Sequence, residues 1–226
     1  MVRRVADACE RSLATEVVIA TDYQPIADVF HDSRKSTALM TRSDHASGTD
    51  RVAEVAQVKK WSADSIVVNV QGDEPQIPPA VIDQVAQLLQ SDPRANVATL
   101  CTPITSLHEF LDPNVVKVVS GADGAALYFS RAPIPWNRDS AGTLTTQREF
   151  PQAFRHLGIY AYRVGALMKL TKLAPTSLEQ VEKLEQLRAL QAGMRILVAQ
   201  AIEPPGLGVD TLADLERVRT TQRQNT

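Results

Sequence analysis

Ser65-Ile66-Val67-Val68-Asn69-Val70 runs directly into Gln71-Gly72-Asp73-Glu74-Pro75. A short apolar run rich in β-branched residues predicts a buried strand. Gly72 permits a sharp turn, so Asp73 is expected to emerge at the strand's carboxyl end. Pro78 and Pro79 then signal the first turn of a helix running to Leu89. The same alternation extends outward on both sides. Upstream, residues 16–22 and 37–41 are expected as strands, and 26–30 and 50–61 as helices. The N-terminal residues open inside a helix, with Val2, Val5, Cys9 and Leu13 at helical spacing. Downstream, residues 96–103, 114–119, 124–130, 154–163 and 195–202 are expected as strands. Residues 164–173, 177–192 and 211–220 are expected as helices, the second with Leu178, Val181, Leu184, Leu187 and Leu190 as one apolar stripe. Such alternation predicts an α/β fold, a mostly parallel sheet with helices on both faces, and ligands at the carboxyl ends of its strands.

The 226 residues are 44% hydrophobic and 22% charged, which is enough apolar material for one ordinary globular core. A formal charge of −2 argues against a nucleic-acid binder and requires any anionic substrate to be held by local charges. Cys9 and Cys101 lie far apart without metal or redox spacing, so they are expected as free thiols in a reducing compartment. No apolar run is long enough to span a bilayer and no signal layout opens the chain, so no membrane insertion and a cytoplasmic location are expected.

Asp73 is the first candidate for chemistry, because Mg2+ on a nucleotide favours one or two carboxylates plus phosphate oxygens. Its plain alternative is a turn that caps the next helix. Asp210, in Gly208-Val209-Asp210-Thr211, taken alone reads first as the N-cap of the final helix, and becomes a metal candidate where it faces Asp73 across the strand ends and shares metal with it. Between Thr41 and Arg51, Ser47-Gly48-Thr49 can offer amides and hydroxyls to a base, while Arg42 and Arg51 either serve phosphates or pair with Asp44 and Asp50. Residues 132–152 hold three prolines and one tryptophan and form an excursion from the sheet. Arg131, Arg138, Arg155 and His156 flank or lie on it, and arginines are the usual answer to a carboxylate-bearing substrate. Strand alternation places His156 and Tyr160 on one side. On the 177–192 helix, Glu182, Glu185 and Gln186 belong to a face that is mostly solvated, from which Glu185 or Gln186 can point at a polyol.

These runs together resemble the CMP-Kdo synthetase family of cytidylyltransferases over essentially the whole chain. The resemblance is carried by Val18-Ile19-Ala20-Thr21-Asp22, Met40-Thr41-Arg42-Ser43-Asp44-His45, Ser47-Gly48-Thr49 and Val70-Gln71-Gly72-Asp73-Glu74-Pro75. It continues through Tyr128-Phe129-Ser130-Arg131, Pro133-Ile134-Pro135-Trp136, Arg155-His156-Leu157-Gly158-Ile159-Tyr160, Leu184-Glu185-Gln186 and Gly208-Val209-Asp210-Thr211. It implies a nucleotide-diphospho-sugar transferase fold in one domain, residues 1–226, with residues 131–163 as a dimerisation and sugar-binding lobe of a homodimer. It implies transfer of a cytidylyl group from CTP to 3-deoxy-D-manno-octulosonate (Kdo), with Asp73 and Asp210 holding Mg2+. Ser47, Gly48, Thr49 and Gln71 would contact the nucleotide; Arg131, Arg138, His156, Tyr160, Glu185 and Gln186 would hold the sugar. A cytidylyltransferase for another sugar acid, such as sialic acid, and a non-catalytic remnant are the alternatives. One departure stands out. Family members open with an apolar strand and a loop bearing an arginine and a lysine, whereas Met1 falls where they enter the first helix. That departure predicts unpaired edges on the strands near residues 16–22 and 65–70, a weakened hold on CTP, and a true start upstream of Met1.

Overall fold

The computed structural model describes residues 1–138, 150–206, 208–209 and 211–224. The elements run α1 (Val2–Cys9), β1 (Val17–Thr21), α2 (Gln24–Asp28), β2 (Ser36–Met40), α3 (Gly48–Val58), β3 (Ile66–Asn69), α4 (Pro79–Ser91) and β4 (Val97–Pro103). They continue with α5 (Leu107–Leu111), β5 (Lys117–Ser120), β6 (Ala126–Ser130), β7 (Phe154–Arg163), α6 (Val164–Leu170), α7 (Ser177–Glu182), α8 (Gln186–Gln191), β8 (Ile196–Gln200) and α9 (Leu212–Gln224).

β7 organises the larger sheet. It runs antiparallel to β3, β4 and β5, while β4 lies parallel to β8. β3, β4 and β8 therefore share one direction, and β7 is a long reverse strand set among them. β1 and β2 form a separate parallel pair. The expected α/β sandwich is present, refined by β7 and by the antiparallel β5–β6 hairpin.

Helices cover both faces of the larger sheet. On one face Val81, Ile82, Val85 and Leu89 of α4 pack on Ala98, Leu100, Leu157, Ile159 and Ala161. On the other, Leu167, Leu170, Leu184 and Leu187 meet Val97, Cys101, Phe129, Tyr162 and Ile196. Every residue from Val97 to Cys101 is consequently buried, as expected for a central strand. The β1–β2 pair has only a small cluster of its own, with Ala6, Ile19 and Phe30 as its buried members. Both cysteines are free thiols, and burial pushes each up to about 11.

Two local findings change the expected picture. The single helix expected over residues 177–192 is two helices, α7 and α8, divided at Lys183, whose φ is 55°. Leu178 and Val181 are therefore exposed rather than part of the stripe. The cause is tertiary. Glu182 accepts from Ser130 Oγ (2.6 Å) and from the backbone N–H of Arg131 (2.9 Å), so it is drawn onto β6 instead of being solvated. The second finding is Lys117, fully buried on β5, whose Nζ donates to the carbonyls of Asp112 (2.8 Å) and Val115 (2.6 Å). That pairing satisfies the ammonium and ties down the turn before β5.

No helix among the described residues is long and apolar enough to cross a membrane.

Candidate active site

A cleft of about 1180 Å3 opens between β1 and β3, walled by Val17–Ala20 on one side and Ile66–Val70 on the other. Among the described residues β1 pairs only with β2, and β3 only with β7. Among the described residues the facing edges of these two strands are thus unpaired. Residues from distant segments converge on the cleft: Gly48, Thr49, Arg51, Gln71, Gly72, Asp73, Tyr160, Glu185 and Gln186.

Asp73 sits on the turn after β3, which the Glu74 N–H closes by donating to the Gln71 carbonyl (3.3 Å). Asp73 Oδ1 is buried without a hydrogen-bond partner among the described residues. A buried carboxylate oxygen left unpaired is costly, so its retention beside a cleft suits a cation ligand. The Asp73 carbonyl accepts from the Val209 N–H (2.9 Å), which brings the Gly208-Val209 backbone against the Asp73 turn. Asp210 itself lies outside the described residues.

The opposite wall comes from the start of α3. Ser47 is its N-cap and accepts from the Asp50 N–H (3.2 Å). An added Cβ at Gly48 or at Gly72 would meet nothing within 4 Å, so open space lies beside the backbone on both walls. Glu185, at the start of α8, accepts from Thr49 Oγ1 (2.8 Å) and from Ser47 Oγ (3.3 Å). Burial raises its pKa against the pull of those two hydroxyls and of Arg188. The nucleotide loop and the sugar-side helix expected from sequence are therefore joined directly. Arg51 pairs with Asp22 (3.2 Å) and donates to Thr41 Oγ1 (2.6 Å), not to Asp50, whereas Arg42 pairs with Asp44 (2.9 Å).

The third side is β7. His156 and Tyr160 share a face, their ring centroids 5.2 Å apart, and Tyr160 stacks on Tyr162 at 5.7 Å. The Tyr160 hydroxyl is buried without a partner among the described residues, and burial pushes its pKa well up, so on this cleft-lining residue it is a neutral donor. His156 lines an adjoining recess of about 50 Å3 with Val70, Gln71 and Gly158. Gln71 Nε2 donates to the Gly158 carbonyl (3.1 Å), and a Cβ at Gly158 would come within 2.4 Å of that nitrogen.

Of the expected sugar residues, His156 reaches only the adjoining recess, and Arg131 and Arg138 lie outside the cleft. Arg131 commits Nε to the Glu182 carbonyl (2.7 Å) and Nη1 to the Pro113 carbonyl (2.8 Å). Arg138 is exposed beside the stretch 139–149, which lies outside the described residues. Arg155 pairs with Glu109 at 3.7 Å. Sequence reasoning missed Thr99, buried on β4 and bonded to the His156 ring (3.0 Å). Its signal was a lone hydroxyl within the apolar run Val97-Ala98-Thr99-Leu100.

A carboxylate at a strand's carboxyl end, a Ser-Gly-Thr loop across from it, and a third wall carrying the Tyr160 hydroxyl suit a nucleotidyltransferase. The chain belongs to the cytidylyltransferase family, whose model matches residues 1–196. It is 50% identical to the 3-deoxy-manno-octulosonate cytidylyltransferase of Alcanivorax borkumensis over 97% of this chain and 86% of that protein. The enzyme of the same name from Polynucleobacter necessarius is 52% identical, over 97% of this chain and 84% of its own length. A solved structure of CMP:2-keto-3-deoxy-manno-octonic acid synthetase complexed with CTP superposes with a TM-score of 0.86. It is 39% identical, and the match covers 100% of this chain and 88% of that one. Enzymes of this family generally use a divalent metal, and among the described residues the unpartnered Asp73 oxygen is a group that fits one.

Proposed function

We propose that this enzyme transfers the cytidylyl group of CTP to Kdo, giving CMP-Kdo and pyrophosphate and so activating the sugar for lipopolysaccharide synthesis. The observation that carries the proposal is the buried, unpartnered Asp73 oxygen, set in one cleft with the Gly48-Thr49 backbone and the Tyr160 hydroxyl. The anomeric hydroxyl of the sugar forms a bond to the α-phosphorus, the bond to pyrophosphate breaks, and the hydroxyl releases its proton. Gly48, with Ser47, Thr49 and Gln71, borders the nucleotide. Tyr160, His156, Glu185 and Gln186 border the sugar, and Arg131 and Arg138 are assigned to it from the 131–163 lobe although both lie outside the cleft. Asp73, together with Asp210, is the site for Mg2+, which when bound neutralises phosphate charge and acidifies the attacking hydroxyl. Residues 1–226 act as one domain in the cytoplasm, and the 131–163 lobe joins two copies. Exposed Leu127 and Trp136 near that lobe support the pairing. Pyrophosphate release from CTP, measured over a panel of sugar acids, tests the assignment. Turnover with Kdo is expected; turnover with sialic acid and none with Kdo would overturn it.

A further inference from the structure

β7 does not match β4 residue for residue. Thr99 lies opposite Tyr160 and Leu100 opposite Leu157, so Gly158 and Ile159 have no partners across the pair. Extra residues in one strand leave backbone groups outside the ladder, and these need partners elsewhere. The Gly158 carbonyl is taken by Gln71. The carbonyls of Leu157 and Ile159 lie 3.1 and 2.8 Å from Thr99 Oγ1, on a residue that is fully buried. The same oxygen lies 3.0 Å from His156 Nε2.

A hydroxyl carries one proton, and a carbonyl oxygen can only accept. Thr99 must therefore give its proton to the bulge carbonyls. Toward the imidazole it can only accept, so the proton of that contact belongs to His156 Nε2. Burial pushes the ring down to about 3, which keeps it neutral, and a neutral ring with Nε2 protonated has a bare Nδ1. Phe129 meets the ring edge-on at 5.1 Å and Tyr160 flanks it, so its orientation is fixed from both sides.

We infer that Thr99 is a positioning residue. Through one hydroxyl it couples the β7 bulge to His156, locking the Nε2–H tautomer and presenting Nδ1 as an acceptor for a hydroxyl of the sugar acid. This rests on the assignment of His156 to the sugar side. The inference places no substrate on Thr99 itself; its effect passes through the ring.

The test uses the full chain with 15N-labelled histidine, reading the His156 tautomer by two-bond 1H–15N correlation, alongside steady-state kinetics. Thr99→Val removes the hydroxyl at nearly constant volume, and Thr99→Ser keeps it. Wild type and Thr99→Ser are expected to show Nε2–H. Thr99→Val is expected to lose that preference and to raise KM for the sugar acid about 10-fold, the equivalent of one hydrogen bond. KM for CTP is expected to stay within about 2-fold, a split that a general loss of structure would not produce. A wild-type ring protonated on Nδ1, or a Thr99→Val ring still held as Nε2–H, would overturn the coupling. A tautomer that changes as expected while KM for the sugar stays fixed would instead remove His156 from the sugar site. Should Thr99→Val fail to fold, the wild-type and Thr99→Ser spectra still decide the tautomer.

Discussion

β3 and β4 both read from sequence as short buried strands, Ile66-Val67-Val68-Asn69 and the apolar run from Val97 to Cys101. In the structure they differ sharply. All five residues from Val97 to Cys101 of β4 are buried, whereas every residue of β3 from Ile66 to Asn69 is only half-buried. β4 has β7 on one edge and β8 on the other, with helices on both faces. β3 has β7 on one edge and the cleft on the other. Apolar composition thus marks a strand that can be buried, and pairing on both edges determines whether it is. The same contrast divides the site. The β7 side is packed and the nucleotide side is open, and each holds one buried polar atom without a partner among the described residues, the Tyr160 hydroxyl and Asp73 Oδ1.

Experiments that set the two sides against each other sharpen this contrast. The largest effect is expected from Asp73→Asn on the open side, which should lower turnover by at least about 100-fold, as loss of a key charge-stabilising group does. Circular dichroism and the unfolding midpoint should barely move, and full activity in this variant would remove the metal assignment. On the closed side, Leu100→Ala should cost about 2–5 kcal/mol in urea unfolding because it empties a fully buried site. Val18→Ala, on half-buried β1, should cost about 1 kcal/mol. Equal losses would mean that the two sheets share one core. Amide exchange should follow the same order, with β1 and β3 exchanging faster than β4.

A smaller effect comes from His156. Its folded pKa, about 3, lies below the ordinary 6.5 because of burial. Between those values the unfolded chain binds a proton that the folded ring refuses, so stability rises with pH across that window. The contribution is complete above pH 6.5 and is lost as pH falls toward 3. The stability difference between wild type and His156→Gln should therefore shrink over that range. A difference independent of pH would show that the ring charges freely in the fold. Smallest of all, Arg42→Ala should change stability by no more than about 0.5 kcal/mol, since its pair with Asp44 is exposed.

Much of this was legible in the residues because it follows from local periodicity. β7 spans Phe154–Arg163 as the alternation indicates, and His156 and Tyr160 share a face because its bulge adds two residues and so preserves parity. Asp73 was legible because a glycine turn after an apolar run fixes where the next side chain emerges. The break at Lys183 was not, because it depends on Glu182 being captured by β6, about 50 residues away in the chain. Thr99 was hidden for the same reason, since a bulge exists only once two strands have paired. α5 escaped notice although Ser106 and Glu109 carry the spacing of a capping box, and Ser106 Oγ does accept from the Glu109 N–H (3.1 Å).

Lys117 has a practical consequence. Lys35, Lys60, Lys169 and Lys183 lie exposed, while the Lys117 amine is enclosed and shared between two carbonyls. An acylating reagent can reach the former in the native molecule and the latter only after the segment around β5 has opened. The rate at which this one nitrogen is labelled is therefore a clock for that opening, built into the chain without any added probe.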